Sequence, residues 1–201
     1  MARHSSHLDE KMLQVGLKLI EKKGSKALTV REICRAANVN LGLFVYYFKN
    51  KDTYLKCLFE IIHTRLMHFV SKGMHDKMTP LEKMKHFYKS TAEYAYKNKS
   101  LLRMFFVESA IEKDLYANYL KKGIAHRPTE FFLMSEGQKD RCLKSDISIY
   151  DIRCYMLFHI LLPILFSECR VLLGDIHTHP EMSLQIYKDK IDDYLDSIVE
   201  A

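Results

Sequence analysis

The chain has 201 residues, 48% hydrophobic and 28% charged, with a formal net charge of +6 and only seven Gly and four Pro. Such a composition can bury a core, which excludes disorder and low complexity. So few breakers also argue against an all-β fold, which needs a turn signal every strand or so, and the predicted class is all-α.

The opening Met1-Ala2-Arg3-His4-Ser5-Ser6-His7 has no apolar run behind its charge and does not read as a signal peptide. The most apolar stretch runs fourteen residues from Cys154 to Ser167 and contains His159 and Pro163. A membrane span needs about 20 apolar residues, so this stretch predicts a buried helix instead. Five cysteines, scattered and without a C-x-x-C pair, fit free thiols in a reducing compartment. The expectation is a soluble, cytoplasmic protein.

The charge is lopsided. Residues 1–51 hold ten Lys/Arg and four acids, which accounts for the whole excess of +6, while the remaining 150 residues hold 21 of each sign. A basic head on a neutral body suggests a polyanionic partner, nucleic acid first and an anionic membrane surface second. A solvated Lys-rich face is the plainer alternative.

Leu8, Met12, Leu13, Leu17, Leu19 and Ile20 predict a first amphipathic helix, closed by Gly24 after Lys22 and Lys23. Thr29-Val30-Arg31-Glu32 has the spacing of a capping box and starts a second helix with a small face of Ile33, Ala36 and Ala37. Asn38 suits a left-handed turn, Val39 can plug the core, and Asn40 can cap a third helix, Leu41 to Phe48. Two short helices joined by such a turn form a helix-turn-helix, whose second helix enters the major groove. Phe48 is expected in the core. Tyr46 and Tyr47 cannot both face inward, so one must present its hydroxyl outward.

The run Thr29-Val30-Arg31-Glu32-Ile33-Cys34-Arg35-Ala36-Ala37-Asn38-Val39-Asn40, followed by Phe44-Val45-Tyr46-Tyr47-Phe48-Lys49-Asn50-Lys51, resembles the DNA-binding signature of TetR/AcrR-family transcriptional regulators. The resemblance is strong over about residues 8–60. It implies DNA contacts from Thr29, Arg31, Asn40, Leu41, Leu43, Tyr46, Tyr47 and Lys51. Asn40, Leu41 and Leu43 match the groove-facing start of the recognition helix. Thr29, Tyr46, Tyr47 and Lys51 match phosphate-side positions, and Arg31 can reach a base or a phosphate. Asn38 stands where glycine is usual, and Val45 where a tyrosine is common, so a contact at Val45 does not carry over. Leu41 and Leu43 donate no hydrogen bonds, and their best base contact is the thymine methyl.

In the body, Asn50 or Asp52 can cap a fourth helix through Leu55, Leu58, Phe59, Ile62, Leu66, Phe69 and Val70, ending near Gly73. Thr79-Pro80-Leu81-Glu82 combines a capping box with proline at the first helical position. Helical segments are expected at 101–111 and 115–138, and 148–173 reads as one long, central, buried helix. After Pro180, the residues Leu184, Tyr187, Ile191, Tyr194 and Ile198 form an a/d seam, reinforced by Leu195 and Val199. Such a seam packs internally or against another chain. The resemblance implies a homodimer through the last two helices and a body that binds a small, often apolar effector. The domains expected are a helix-turn-helix DNA-binding domain, 1–51, and a ligand-binding and dimerisation domain, 52–201.

Pocket residues do not transfer by motif. The candidates are Tyr94, Phe105, Glu108, His126, Tyr155 and His159, with Glu108 and His159 chosen as polar groups inside apolar runs. The Asp175-Ile176-His177-Thr178-His179 loop could ligate a metal but reads first as a polar loop. No nucleophile elbow, P-loop, HExxH or dinucleotide fingerprint occurs, so neither catalysis nor a cofactor is expected. The expected partners are double-stranded DNA, a small-molecule effector and a second copy of the chain. The rival readings are a helical adaptor docking a membrane or an acidic partner, and an all-α enzyme using Glu108 and His159.

Overall fold

The computed structural model describes residues 7–111, 144, 146–167 and 183–199. The chain forms two compact units, one of Met1–Arg65 with Met104–Lys121 and one of Leu66–Arg103 with Lys122–Ala201. All the regular elements among the described residues are helical.

In the first unit, α1 spans His7–Lys23, with Asp9 and Glu10 in its first turn and Lys22 and Lys23 in its last, each suited to the local end of the helix dipole. Gly24 closes it at φ 78°, its N–H bonded to the Ile20 carbonyl at 2.8 Å. The helices α2, Val30–Ala37, and α3, Leu41–Phe48, follow, and then α4, Lys51–Ser71, whose residues from Leu66 on belong to the second unit. Asn50 caps α4, its Oδ1 accepting from the Thr53 N–H at 2.8 Å.

The core of this unit gathers Met12, Leu17 and Ile20 with Ile33, Phe44, Phe48, Tyr54 and Leu58. Phe44, Phe48 and Tyr54 form a mutually tilted cluster with centroids 4.9–5.3 Å apart. The Tyr54 hydroxyl is buried and donates to the Met12 carbonyl at 2.7 Å. Burial holds the phenol well above its ordinary range. Gly16 makes that bond possible, because a Cβ there would stand 1.8 Å from the Tyr54 oxygen.

In the second unit, α5, Pro80–Lys97, starts with the expected capping box: the Thr79 hydroxyl accepts from the Glu82 N–H, and the Glu82 carboxylate accepts from the Thr79 N–H. The helix α6 spans Lys99–Ile111, and the division between the units falls within it. The last helix described, α9, is Leu184–Ser197.

The expected single helix over 148–173 is corrected within 148–167, residues 168–173 lying outside the described residues. Ser148 caps α7, Ile149–Tyr155, which passes into a π-helical segment, Met156–Leu161, and then α8, Leu162–Leu165. The cause is Pro163, which lacks an N–H and whose ring would meet the carbonyl four residues earlier in an α-helix. The wider turn relieves that clash, and the Leu162 N–H bonds to the Leu157 carbonyl. Nor is the segment buried all round: Ile152, Met156, Ile160 and Ile164 face the core, while Tyr150, Phe158 and His159 are exposed.

The seam of α9 packs inside its own chain. Tyr187, Ile191, Leu195 and Ile198 are buried, α9 packs along α5, and Leu184 and Tyr194 are only half-buried. Ion pairs flank this contact: Lys85 to Asp196 at 2.5 Å, Lys89 to Asp192, and Lys188 to Glu93 at 2.7 Å. Lys188 and Lys97 together hold the Glu93 carboxyl below its ordinary range. Cys34, Cys57 and Cys154 are free thiols, and burial pushes those of Cys34 and Cys57 up, toward the inert protonated form. No helix among the described residues is long and apolar enough to cross a membrane.

Candidate nucleic-acid interface

The turn between α2 and α3 is built by side chains at its corners. At the start of α2, the Glu32 carboxylate accepts from the Thr29 N–H at 3.1 Å and from its hydroxyl at 2.8 Å, while the Glu32 N–H donates to Thr29 Oγ1. Lys23 from the end of α1 pairs with the same carboxylate at 2.5 Å. Lys23 first, and then the Thr29 bonds, hold the Glu32 carboxyl down at about 2.

Asn38 ends α2 in the left-handed region, φ 55° and ψ 52°, and its N–H caps the carbonyls of Cys34 and Arg35. The Val39 N–H returns to the Cys34 carbonyl at 2.9 Å. Asn40 then caps α3, with Oδ1 accepting from the Leu43 N–H at 2.8 Å. Three residues, Asn38 to Asn40, thus turn the chain from one helix into the next without a glycine at the corner.

Phe44 and Phe48 pin α3 to the core, which leaves its other faces outward. Leu41 is 53% exposed, Val45 49% and Tyr46 66%. Leu43 and Tyr47 are half-buried, with the Tyr46 and Tyr47 rings edge to face at 5.1 Å. Thr29, Arg31, Arg35 and Asn40 are exposed. Lys51 opens α4 and reaches back across the chain, donating from Nζ to the Lys26 carbonyl at 3.4 Å. It therefore lies against the loop between α1 and α2.

Three of the six ligand candidates, Tyr94, Tyr155 and His159, have side chains among the described residues. Tyr94 is buried on α5 and meets the Phe69 ring at 5.6 Å. Tyr155 and His159 lie in a different stack. Tyr155 sits between Tyr194, at 3.7 Å and nearly parallel, and His159, at 4.6 Å. His159 itself is exposed, which corrects the expectation that a polar residue inside an apolar run points inward; the widened π turn changes its facing. Phe105 and Glu108 belong to α6, but their side chains lie outside the described residues, as do His126 and the loop from Asp175 to His179.

Residues 12–56 match the sequence profile of the tetR family of bacterial regulatory proteins. The head is that of a TetR-family transcriptional regulator. No curated protein sequence matches the chain. Solved structures match it along nearly its whole length. Salmonella enterica GusR superposes with a TM-score of 0.73 over all of both chains at 9% identity. The ketosteroid transcriptional regulator KstR2 of Mycobacterium tuberculosis reaches 0.65 at 13% identity, over 99% of this chain and 98% of its own. A transcriptional regulator of the TerR/AcrR family from Aquifex aeolicus VF5 reaches 0.56 at 21% identity, over 94% and 98%. At such identities the likeness is one of fold.

The matched family is one of bacterial regulatory proteins, which fits a DNA-binding head. The matched segment runs from Met12 in α1 to Lys56 in α4, and so contains Gly16, both corners of the turn, α3 and Tyr54. Val45 lies one turn from Leu41 on the exposed side of α3, while Phe44 and Phe48 take the core face.

Proposed function

We propose that this regulator is a homodimeric repressor, released from a palindromic operator by a small, largely apolar effector. The observation that carries the DNA half is the head itself, with a basic excess of +6 and a helix α3 held by its caps so that Leu41, Val45 and Tyr46 project. Phosphate contacts are assigned to Thr29, Tyr46, Tyr47 and Lys51, with Arg31, Asn40, Leu41 and Leu43 facing the groove. At Thr29 a phosphate must compete with Glu32, which already engages both hydroxyl and amide.

Dimerisation is assigned to the outward faces of the segment 149–165 and of α9. Tyr150, Phe158 and Ile186 are large apolar or aromatic side chains left exposed there, and a two-fold pairing would set two heads on two half-sites. Support for an apolar effector is the aromatic content of the body: residues after Asp52 hold nine of eleven Phe and ten of twelve Tyr. Effector and operator compete by linkage, since a preference of about 1–3 kcal/mol for the released state lowers DNA affinity 5–150-fold.

The test is binding of the full chain to duplex DNA from beside its own gene, across a salt series. A sequence-specific complex with a steep salt dependence is expected. Equal binding to all duplexes, together with binding to anionic vesicles, would replace this reading with that of a membrane-docking adaptor.

A further inference from the structure

We propose that α3 reads its half-site through the C5-methyl groups of thymines seated against Leu41 and Val45, with no side-chain hydrogen bond from α3 to a base edge. The inference rests on the DNA-binding reading above and names what that site reads. Of the four exposed residues on α3, Leu41, Gly42 and Val45 offer no side-chain donor or acceptor. Asn40, which caps the helix from just outside it, has its Oδ1 committed to the Leu43 N–H and offers only its Nδ2 donors.

Leu41 and Val45 are one helical turn apart and lie side by side, each about half exposed. They form an apolar strip on the most basic quarter of the chain, where nearby charge favours a polyanion over a protein or lipid-tail partner. In the major groove, the one apolar group on a base edge is the thymine methyl. Gly42, between them in sequence, lets the helix come close, because a Cβ there would meet only Asn40 Oδ1 at 3.3 Å. Four residues of helix advance about 6 Å, close to two base steps on one strand. The half-site should therefore carry two thymines about two positions apart. Tyr46, exposed further round the helix, is the residue assigned above to phosphate.

The experiment selects binding duplexes from a randomised pool with the full-length protein and then replaces each selected thymine, singly, by deoxyuridine. Loss of one buried methyl should weaken binding about 4-fold at each of two positions per half-site, and nowhere else. Leu41→Ala should erase the thymine–uracil difference at one of these positions and Val45→Ala at the other. Both side chains are exposed, so the variants should fold, which circular dichroism checks. If uracil substitution is silent everywhere while the selected sequence is still preferred, methyl readout is overturned and the DNA-binding reading stands. If selection enriches no sequence, the DNA-binding reading falls first and this proposal with it.

Discussion

Replacing Gly16 with alanine should loosen the DNA-binding unit although alanine is the better helix former. The new Cβ would lie 1.8 Å from the Tyr54 oxygen and 2.7 Å from Cζ, far inside van der Waals contact. Tyr54 cannot swing away, because its ring is wedged against Phe44 and Phe48 at centroid distances of 5.2 and 4.9 Å. Overpacking of this kind costs about 1–3 kcal/mol. Displacing the phenol from the Met12 carbonyl leaves buried polar groups unmade, which costs about 1–3 kcal/mol more. Against this, alanine in a helix interior returns about 1 kcal/mol over glycine. The net expectation is a destabilisation of about 1–5 kcal/mol, carried by α1 and the first turns of α4. Amide hydrogen exchange reads it directly, as lost protection in those two helices with α5 and α9 unaffected. Tyr54→Phe in the same background should relieve only part of the strain, because Cζ remains at 2.7 Å. A Gly16→Ala protein as well protected as the parent would show that α1 and α4 are not held by this contact.

Lys51→Ala and Tyr47→Phe should weaken DNA binding about equally for all sequences, with the lysine variant lowering the salt slope by about 1; unchanged affinity in both would remove them from the phosphate contacts. Phe158→Glu with Tyr150→Glu should give a monomer in sedimentation with helicity intact, since both side chains are exposed within the chain; a persistent dimer would place the interface elsewhere. The Glu32 carboxyl is held down at about 2 against an ordinary 4.5, so its contribution to the head is complete above 4.5 and is lost as pH falls from there toward 2. Lys23→Met should therefore shift acid unfolding of α2 to higher pH, and an unmoved acid transition in exchange experiments would contradict this assignment. An effector found by co-purification should bind more weakly in the presence of operator DNA, and equal affinity in both conditions would leave the two sites uncoupled.

The elements that could be read from the sequence are those whose cause is local. Thr29 with Glu32, Thr79 with Pro80 and Glu82, Asn38 and Asn40 act within three or four residues, and each stands in the structure where its chemistry placed it. Gly16 could not be read so, because its need is set by Tyr54, 38 positions along the chain. The seam of α9 was legible as a seam but not in its partner, since period 3.5 is the same whether the facing helix is α5 or another molecule. The break at 156–161 needed Pro163 weighed against the apolar run around it, and His159 turned outward with it. The DNA contacts expected in the head rest on the family pattern, from which Val45 departs. An effector site is the least legible, because a pocket joins residues with no shared spacing: Tyr94 meets the Phe69 ring, and Tyr155 stacks on Tyr194.

The stacked rings of Tyr155 and Tyr194 lend the body an optical handle. The chain contains no tryptophan, so its intrinsic fluorescence and near-ultraviolet dichroism come from tyrosine and phenylalanine alone. Two phenol rings 3.7 Å apart and within 4° of parallel couple their transitions strongly, which isolated tyrosines in the same protein do not. One ring rides on the segment 149–165 and the other on α9, so the coupled signal reports whether those two elements keep their register. Any event that slides them, whether a bound effector or a second subunit, can be followed in unlabelled protein.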